Sequence, residues 1–319
     1  MKKNHLISLL SLIIISCSTS NDIVEAPRLT SYISQFHFEQ LDPILGLRSN
    51  LDSINYLIED NKFRSGSGKN INLLTGEEIE LGFDYLYDNN RLSKVEQTRN
   101  GVLHRSYFYN YNSNGDLSEY IRFTPSSSNY RRIAFNYTND TIYATRDYST
   151  DGITYNNIDR EIKYVIDNND NCVFYEYKLV NFNFTSTDFY EYENDNLTVE
   201  AFFNSNPNNS GIINQFNYNL NTVTNTLNVI SEASFSKKTL MLLHPLDNKS
   251  VNQIQARKIA KNPITNFTTT FVNSNFSVDH TTNEENFATL SEYVFGQFGA
   301  TGSLVTRTTI TDEFIFSQD

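Results

Sequence analysis

The residues able to do chemistry are few and scattered. Two cysteines, Cys17 and Cys172, carry the strongest nucleophiles of the 319-residue chain, since a thiolate outperforms a hydroxyl at neutral pH. Cys172 stands between Asn171 and Val173 at the start of an apolar alternation, and is expected to be a buried small hydrophobe. The histidines are His5, His37, His104, His244 and His280, and no two lie at metal-ligand spacing. Asp167-x-Asn169-x-Asn171 imitates the first half of a calcium loop, but no Gly follows Asn171 and Lys178 stands where a bidentate Glu is needed; a polar hairpin turn is expected. Ser126-Ser127-Ser128 lacks the strand-turn-helix setting of a serine nucleophile. The pairs Glu77 and Glu78, and Asp312 and Glu313, point to opposite faces of a strand and cannot share a substrate. Gly299-Ala300-Thr301-Gly302 reads as a turn without the helix that a phosphate loop requires. No catalytic residue, metal or cofactor is expected.

Cys17 has a different context. Lys2 and Lys3 precede an apolar run from Leu6 to Ile15 that ends Ile14-Ile15-Ser16-Cys17, the layout of a secretory leader. The run is about half of the ~20 residues that span a bilayer as a helix. Its end resembles the lipobox of bacterial lipoproteins, which implies cleavage before Cys17 and a diacylglycerol on its thiol. Residues 1–16 are then the signal peptide, residues 17–28 a lipidated tether, and residues 29–319 the folded domain. Cys172 would have no disulfide partner, so stability must come from burial and sheet pairing. Loss of Lys2 and Lys3 takes the formal charge from -12 to -14.

The element that must position everything else is a sheet. With 20 Tyr, 23 Phe and only 12 Gly and 6 Pro, the chain is too aromatic for a disordered tail and too poor in Gly and Pro for a linker. Its acidity excludes a sequence-independent grip on nucleic acid. An aromatic-x-aromatic (or Ile) triplet followed by an Asn/Asp-rich turn recurs at Tyr56, Tyr85, Tyr109, Phe135, Tyr164, Tyr190 and Phe216, at intervals of 29, 24, 26, 29, 26 and 26 residues. Such a period marks one supersecondary unit. Alternation puts Phe83, Tyr85 and Tyr87 on one face, as it does Tyr107, Tyr109 and Tyr111. The turns, such as Asp88-Asn89-Asn90 and Thr138-Asn139-Asp140, consist of residues that tolerate positive φ. Each repeat therefore holds two strands of about nine residues, one hairpin in an antiparallel meander. The tyrosines are expected to be cross-strand ladders rather than a sugar-stacking platform. Phe108, Phe174, Phe189 and Phe202 fall on the opposite face, so the sheet is expected to curl or to be covered.

Tyr85 to Leu92 and Tyr109 to Leu117 resemble the Tyr-Asp repeat, Y-x-Y-D-x-x-G-R-L, of RHS-type shells, and are closer still to repeat lipoproteins of unknown function common in Bacteroidetes. The resemblance covers most of Leu51 to Val229 and a terminal Tyr293-Val294-Phe295 unit. It implies a cell-envelope lipoprotein and no particular activity.

The segment from about 234 to 261 breaks the pattern. Leu240-Met241-Leu242-Leu243 is an apolar run stopped by Pro245, and Val251, Ile254, Ala256 and Ile259 are spaced as one face of a short amphipathic helix over Asn248 to Lys261; the segment is expected to plug or cap the sheet. The fold class read from these features is all-β, a repetitive antiparallel β-meander, curled or open barrel-like, with one helical insertion. The expected function is a non-enzymatic binding or scaffold module held at the outer membrane by lipid on Cys17, with a cell-envelope protein or glycan as partner. The alternatives are a carrier of an apolar ligand or glycan inside a curled sheet and, behind it, a glycosidase using dispersed carboxylates.

Overall fold

In the computed structural model the described residues are 28–42, 46–205, 211–218, 223–247, 256–270, 274–298 and 304–317. Cys17, the leader, Ser18 to Pro27, Val251 and Ile254 lie outside them. The strands are β1 (Leu29–Asp42), β2 (Gly46–Glu59), β3 (Lys62–Asn72), β4 (Glu78–Asp88), β5 (Arg91–Arg99), β6 (Val102–Tyr111), β7 (Leu117–Thr124), β8 (Asn129–Thr138) and β9 (Thr141–Ser149). They continue as β10 (Arg160–Ile166), β11 (Cys172–Leu179), β12 (Phe184–Glu193), β13 (Asn196–Asn204), β14 (Ile212–Tyr218), β15 (Ile264–Thr269), β16 (Ser274–Thr282), β17 (Ala288–Phe298) and β18 (Leu304–Phe316). Each strand neighbours the next in chain order, and β18 returns to β1. The meander is thus a barrel of 18 strands, and closure removes the exposed edges that an open sheet would present.

Between β14 and β15 the chain forms three helices, α1 (Thr226–Phe235), α2 (Lys237–Asp247) and α3 (Ala256–Ile259). Helix α1 packs on β3 and β5, α2 on β11 and α3 on β13. These strands lie on opposite sides of the ring, so the helices sit across the lumen as a plug. Leu240, Met241 and Leu242 share one buried cluster with Tyr109, Tyr164 and Tyr175. The plug enters from the end that carries the Asn-rich turns, which is also the end where β1 begins and β18 finishes.

The insertion is larger than the sequence suggests. It begins at Thr226, inside the stretch assigned to the repeats, and it holds three helices rather than one. Helix α1 shows no amphipathic stripe because much of its polar surface also faces protein: Thr226, Asn228, Ser231 and Ser234 are buried. Thr226 donates to the Ala288 carbonyl at 2.6 Å, and Ser234 accepts from the Phe63 amide at 3.1 Å. Pro245 lies inside α2 instead of ending the apolar run before a helix. There it gives up the bond its N–H would have made to the Met241 carbonyl, so packing against the wall and not the helix ladder must hold this turn.

A repeated device explains the last tyrosine of four triplets, whereas Tyr192 turns its hydroxyl to the Met241 sulfur at 3.5 Å. Near the plug-end turns the ladder slips by one residue, leaving an extra residue in the second strand: Arg64, Ser93, Ser118 and Thr198. The carbonyl just before each bulge accepts a tyrosine hydroxyl, Tyr87 to Phe63 (2.8 Å), Tyr111 to Leu92 (3.0 Å), Tyr137 to Leu117 (2.7 Å) and Tyr218 to Leu197 (2.5 Å). Ser93, Ser118 and Thr198 in turn donate to Leu86, Asn110 and Glu191 carbonyls across the bulge. Buried backbone acceptors are thereby satisfied where the ladder fails. The turn residues Asn89, Asn90, Asn139, Asn194 and Asp195 adopt positive φ, as their types allow.

The inner face is aromatic and the outer face mixed. Cross-strand pairing places Val165, Phe174, Phe189, Ala201 and Ile213 in one outward row. Phe189 stacks edge-on with Phe174 and with Phe203. Phe203 is the outward residue, and Phe202, expected there, pairs with buried Asp188 on the inner face. Elsewhere the outer wall carries charge: Arg132 bridges Glu119 and Asp147, and Lys94 pairs with Glu96. A lipid-facing Arg or Lys costs about 2–4 kcal/mol at the bilayer midplane, so these charged stretches of the wall suit water.

Candidate binding site in the barrel lumen

Between the plug and the wall formed by β1 to β7 lies a cavity of about 260 Å³. Its wall is aromatic because the inward positions of neighbouring strands are aromatic. Tyr32 stacks on Tyr56 with centroids 5.4 Å apart, Phe63 stacks on Tyr85 at 5.3 Å, and Tyr109 meets Phe235 of α1 edge-on at 5.8 Å. Leu227, Leu240 and Leu243 of the plug complete the apolar surface.

Polar groups border the cavity at two points. Arg257 of α3 bonds to Asp312 of β18, and Tyr32 donates to the same carboxylate at 2.6 Å. Burial opposes the charge on Arg257, and the facing Asp312 outweighs it and raises the guanidinium's pKa. At the second point His244 of α2 meets Glu200 of β13 at 2.7 Å, both nearly inaccessible, with the imidazole edge-on to Tyr190. Burial raises the phenol pKa of Tyr32, Tyr56 and Tyr85, so these hydroxyls stay protonated at neutral pH. They can stack on and hydrogen-bond to a ligand, but they do not act as bases or nucleophiles there.

The sequence candidates fall as follows. Tyr85 and Tyr109 line the cavity, and Tyr190 is buried behind His244. Cys172 is a buried free thiol that donates to the Phe174 carbonyl at 3.3 Å, and burial pushes its pKa up. Asp167 spends its carboxylate on a turn, accepting from the Asn169 and Asn171 amides at 2.8 and 2.9 Å and from the Asn171 side chain. The inward carboxylates Asp188 and Glu200 are 0% and 2% exposed, which shuts them off from the water and leaving group that glycoside hydrolysis needs. Asp312 and Glu313 do face opposite ways, Asp312 buried and Glu313 exposed. Sequence reasoning missed Arg257, Lys258 and Asp312 as lumen residues, since they meet only through the closure of the barrel. Asn-rich turns at regular spacing signalled the wall, but nothing local signalled the plug contacts.

No protein family matches the chain, and no curated protein sequence matches it. Solved structures with a similar fold include two porin-like proteins. One is a porin-like protein from Bacteroides uniformis, at 13% identity and a TM-score of 0.46, covering 92% of this chain and 98% of that one. The other is a porin-like protein from Bacteroides vulgatus, at 12% identity and a TM-score of 0.31, covering 92% of this chain and 100% of that one.

Proposed function

We propose that the protein is an outer-membrane lipoprotein whose plugged barrel is a non-enzymatic binding module, holding a small ligand with a flat apolar face, an aromatic compound or a glycan, between plug and wall. The observation that carries this reading is the aromatic cavity of about 260 Å³, just below the usual volume of small-molecule sites. Stacking surfaces surround it, while its buried Arg257 and His244 are already paired with carboxylates. The helices across the lumen argue against an open channel, and the ion pairs on the outer wall argue against a membrane-spanning one. Lipid on Cys17 supplies the anchor instead. Ser18 to Pro27 can span at most about 35 Å, and β1 starts at the plug end, so the plugged end faces the membrane.

Two measurements test the reading. Native mass spectrometry of the full chain, extracted from envelopes in mild detergent, should reveal a bound small molecule that disappears in Leu243→Trp, which fills the cavity. An unliganded mass for the parent, together with no uptake of an aromatic fluorescent probe, would end the binding proposal. Labelling with radioactive fatty acid should mark the parent and not Cys17→Ser; equal labelling would end the lipoprotein proposal.

A further inference from the structure

Five consecutive strands each turn one arginine into the lumen: Arg105 on β6, Arg122 on β7, Arg131 on β8, Arg146 on β9 and Arg160 on β10. Their side follows from register. Arg122 is opposite inward Tyr107, Arg131 shares a face with buried Ile133 and Phe135, and Arg160 shares a face with buried Ile162 and Tyr164. Arg122 is directly opposite Arg131, and Arg146 directly opposite Arg160. Like charges in such positions destabilise a sheet.

Compensation is uneven. Arg146 is clamped by Asp159, and Arg160 lies over the Tyr177 ring at 4.5 Å. Among the described residues, no carboxylate lies within ion-pair distance of Arg105, Arg122 or Arg131, and the Nε atoms of Arg105 and Arg122 are buried without a hydrogen-bond partner. All three are half-buried, so solvent reaches them. Burial and the adjacent Arg122 and Arg146 lower the pKa of Arg131, the mark of positive charge crowded without relief. The chain holds 37 acidic residues against 25 basic ones, and among the described residues none of those acids lies within ion-pair distance of these three guanidiniums.

We infer that Arg105, Arg122 and Arg131 form an anion site on the lumen wall beyond the aromatic cavity, built for a small solute with two or more phosphoryl charges. The planar forks of three guanidiniums suit phosphoryl oxygens, which they can bind in pairs. Adjacent strands stand ~4.8 Å apart, so Arg122 and Arg131 can hold one phosphoryl group between them while Arg105, diagonal to Arg122, takes a second. Tyr120, stacked near Tyr107 at 6.3 Å, borders both this wall and the cavity. The site stands independently of whatever the cavity holds.

Inorganic pyrophosphate is the probe. Titrated calorimetrically into the full chain in non-ionic detergent at low ionic strength, it should bind saturably at one site and raise the melting temperature. The double variant Arg122→Gln/Arg131→Gln should lose at least about tenfold in affinity, yet melt no lower than the parent without pyrophosphate, because it removes an opposed like-charge pair. Arg105→Gln alone should show a smaller loss in the same direction. The outer-wall variant Lys163→Gln/Lys178→Gln should bind as the parent does. Absence of saturable binding to the parent, equal affinity in the arginine variants, or a lower melting temperature of the double variant without ligand would each overturn the assignment.

Discussion

Arg257, on a four-residue helix inside the lumen, bonds to Asp312 in the last strand of the barrel, with both side chains buried. The contact ties the plug to the seam where β18 closes on β1, because Tyr32 of β1 donates to the same carboxylate. Removing one partner from a buried ion pair strands the other charge at a cost of about 3–5 kcal/mol, whereas replacing both by apolar groups can be neutral. Asp312→Asn should therefore destabilise the barrel by roughly that amount in urea denaturation, and Arg257→Met/Asp312→Leu should recover most of it. A double variant no more stable than Asp312→Asn would mean that the charges themselves, and not the filled volume, hold the plug.

The tyrosines that close the bulges make a second prediction. Tyr111→Phe and Tyr137→Phe should each cost about 1–3 kcal/mol, since the Leu92 and Leu117 carbonyls lose their side-chain donor. The pH dependence follows from the same burial. Burial pushes the Tyr111 hydroxyl up to about 12, above the ordinary tyrosine value near 10. A group whose folded pKa is raised contributes stability that is complete below the unfolded value and lost as pH climbs through the folded one. Stability should therefore hold to about pH 10 and fall between about 10 and 12, and Tyr111→Phe should flatten part of that fall in equilibrium unfolding.

His280 makes the acid-side prediction. Its Nε2–H donates to the Ile264 carbonyl of β15 and its Nδ1 accepts from the Ser291 hydroxyl of β17, both at 2.8 Å, which fixes the neutral tautomer. Burial holds its pKa below the ordinary histidine value, against the pull of Ile264, Asp279 and Asp312. Here the unfolded chain takes up the proton first, so stability falls as pH drops below about 6.5 and levels off once the folded form also protonates. The melting temperature of the parent should decline from pH 7 to 5 more than that of His280→Gln. Parallel declines would show that the junction of β15, β16 and β17 does not sense the imidazole charge.

Local periodicity reveals the wall and hides the plug, for physical reasons. Tyr85, Tyr109 and Phe135 announce their strands because a half-buried strand alternates every two residues. The same alternation carries Arg131 to the face of Ile133 and Phe135, so the arginine row is written in the register of the strands. The bulge positions Ser93, Ser118 and Thr198 each follow a leucine, a local signal, whereas the tyrosine that bonds each leucine carbonyl comes from the hairpin that follows. Helix α1 has no such mark: protein encloses polar residues such as Asn228 and Ser231 as it does Leu227 and Ile230, and a helix buried on several sides loses the stripe that identifies it. Asp312 reads as one of two alternating acids, and its partner Arg257 lies 55 residues away.

The plug can be tested apart from its ion pair. Leu242 is fully buried in the cluster that joins α2 to the inner tyrosines of β10 and β11. Truncating a leucine in such a place loses the transfer energy of its methyl groups and leaves a void, together about 2–5 kcal/mol. If plug and wall fold as one unit, Leu242→Ala should lower a single cooperative transition by that amount, read identically by far-ultraviolet circular dichroism and by tyrosine fluorescence. If the plug is an independent lid, the fluorescence transition alone should shift while the strand signal keeps the parent midpoint, because the wall strands pair with one another and not with α2. Coincident transitions would make the lumen a core, entered only through openings in a shared structure. Separated transitions would make the helices a gate over the aromatic cavity, and ligand should then bring the two midpoints together, since a molecule held between plug and wall stabilises only the state in which both are in place.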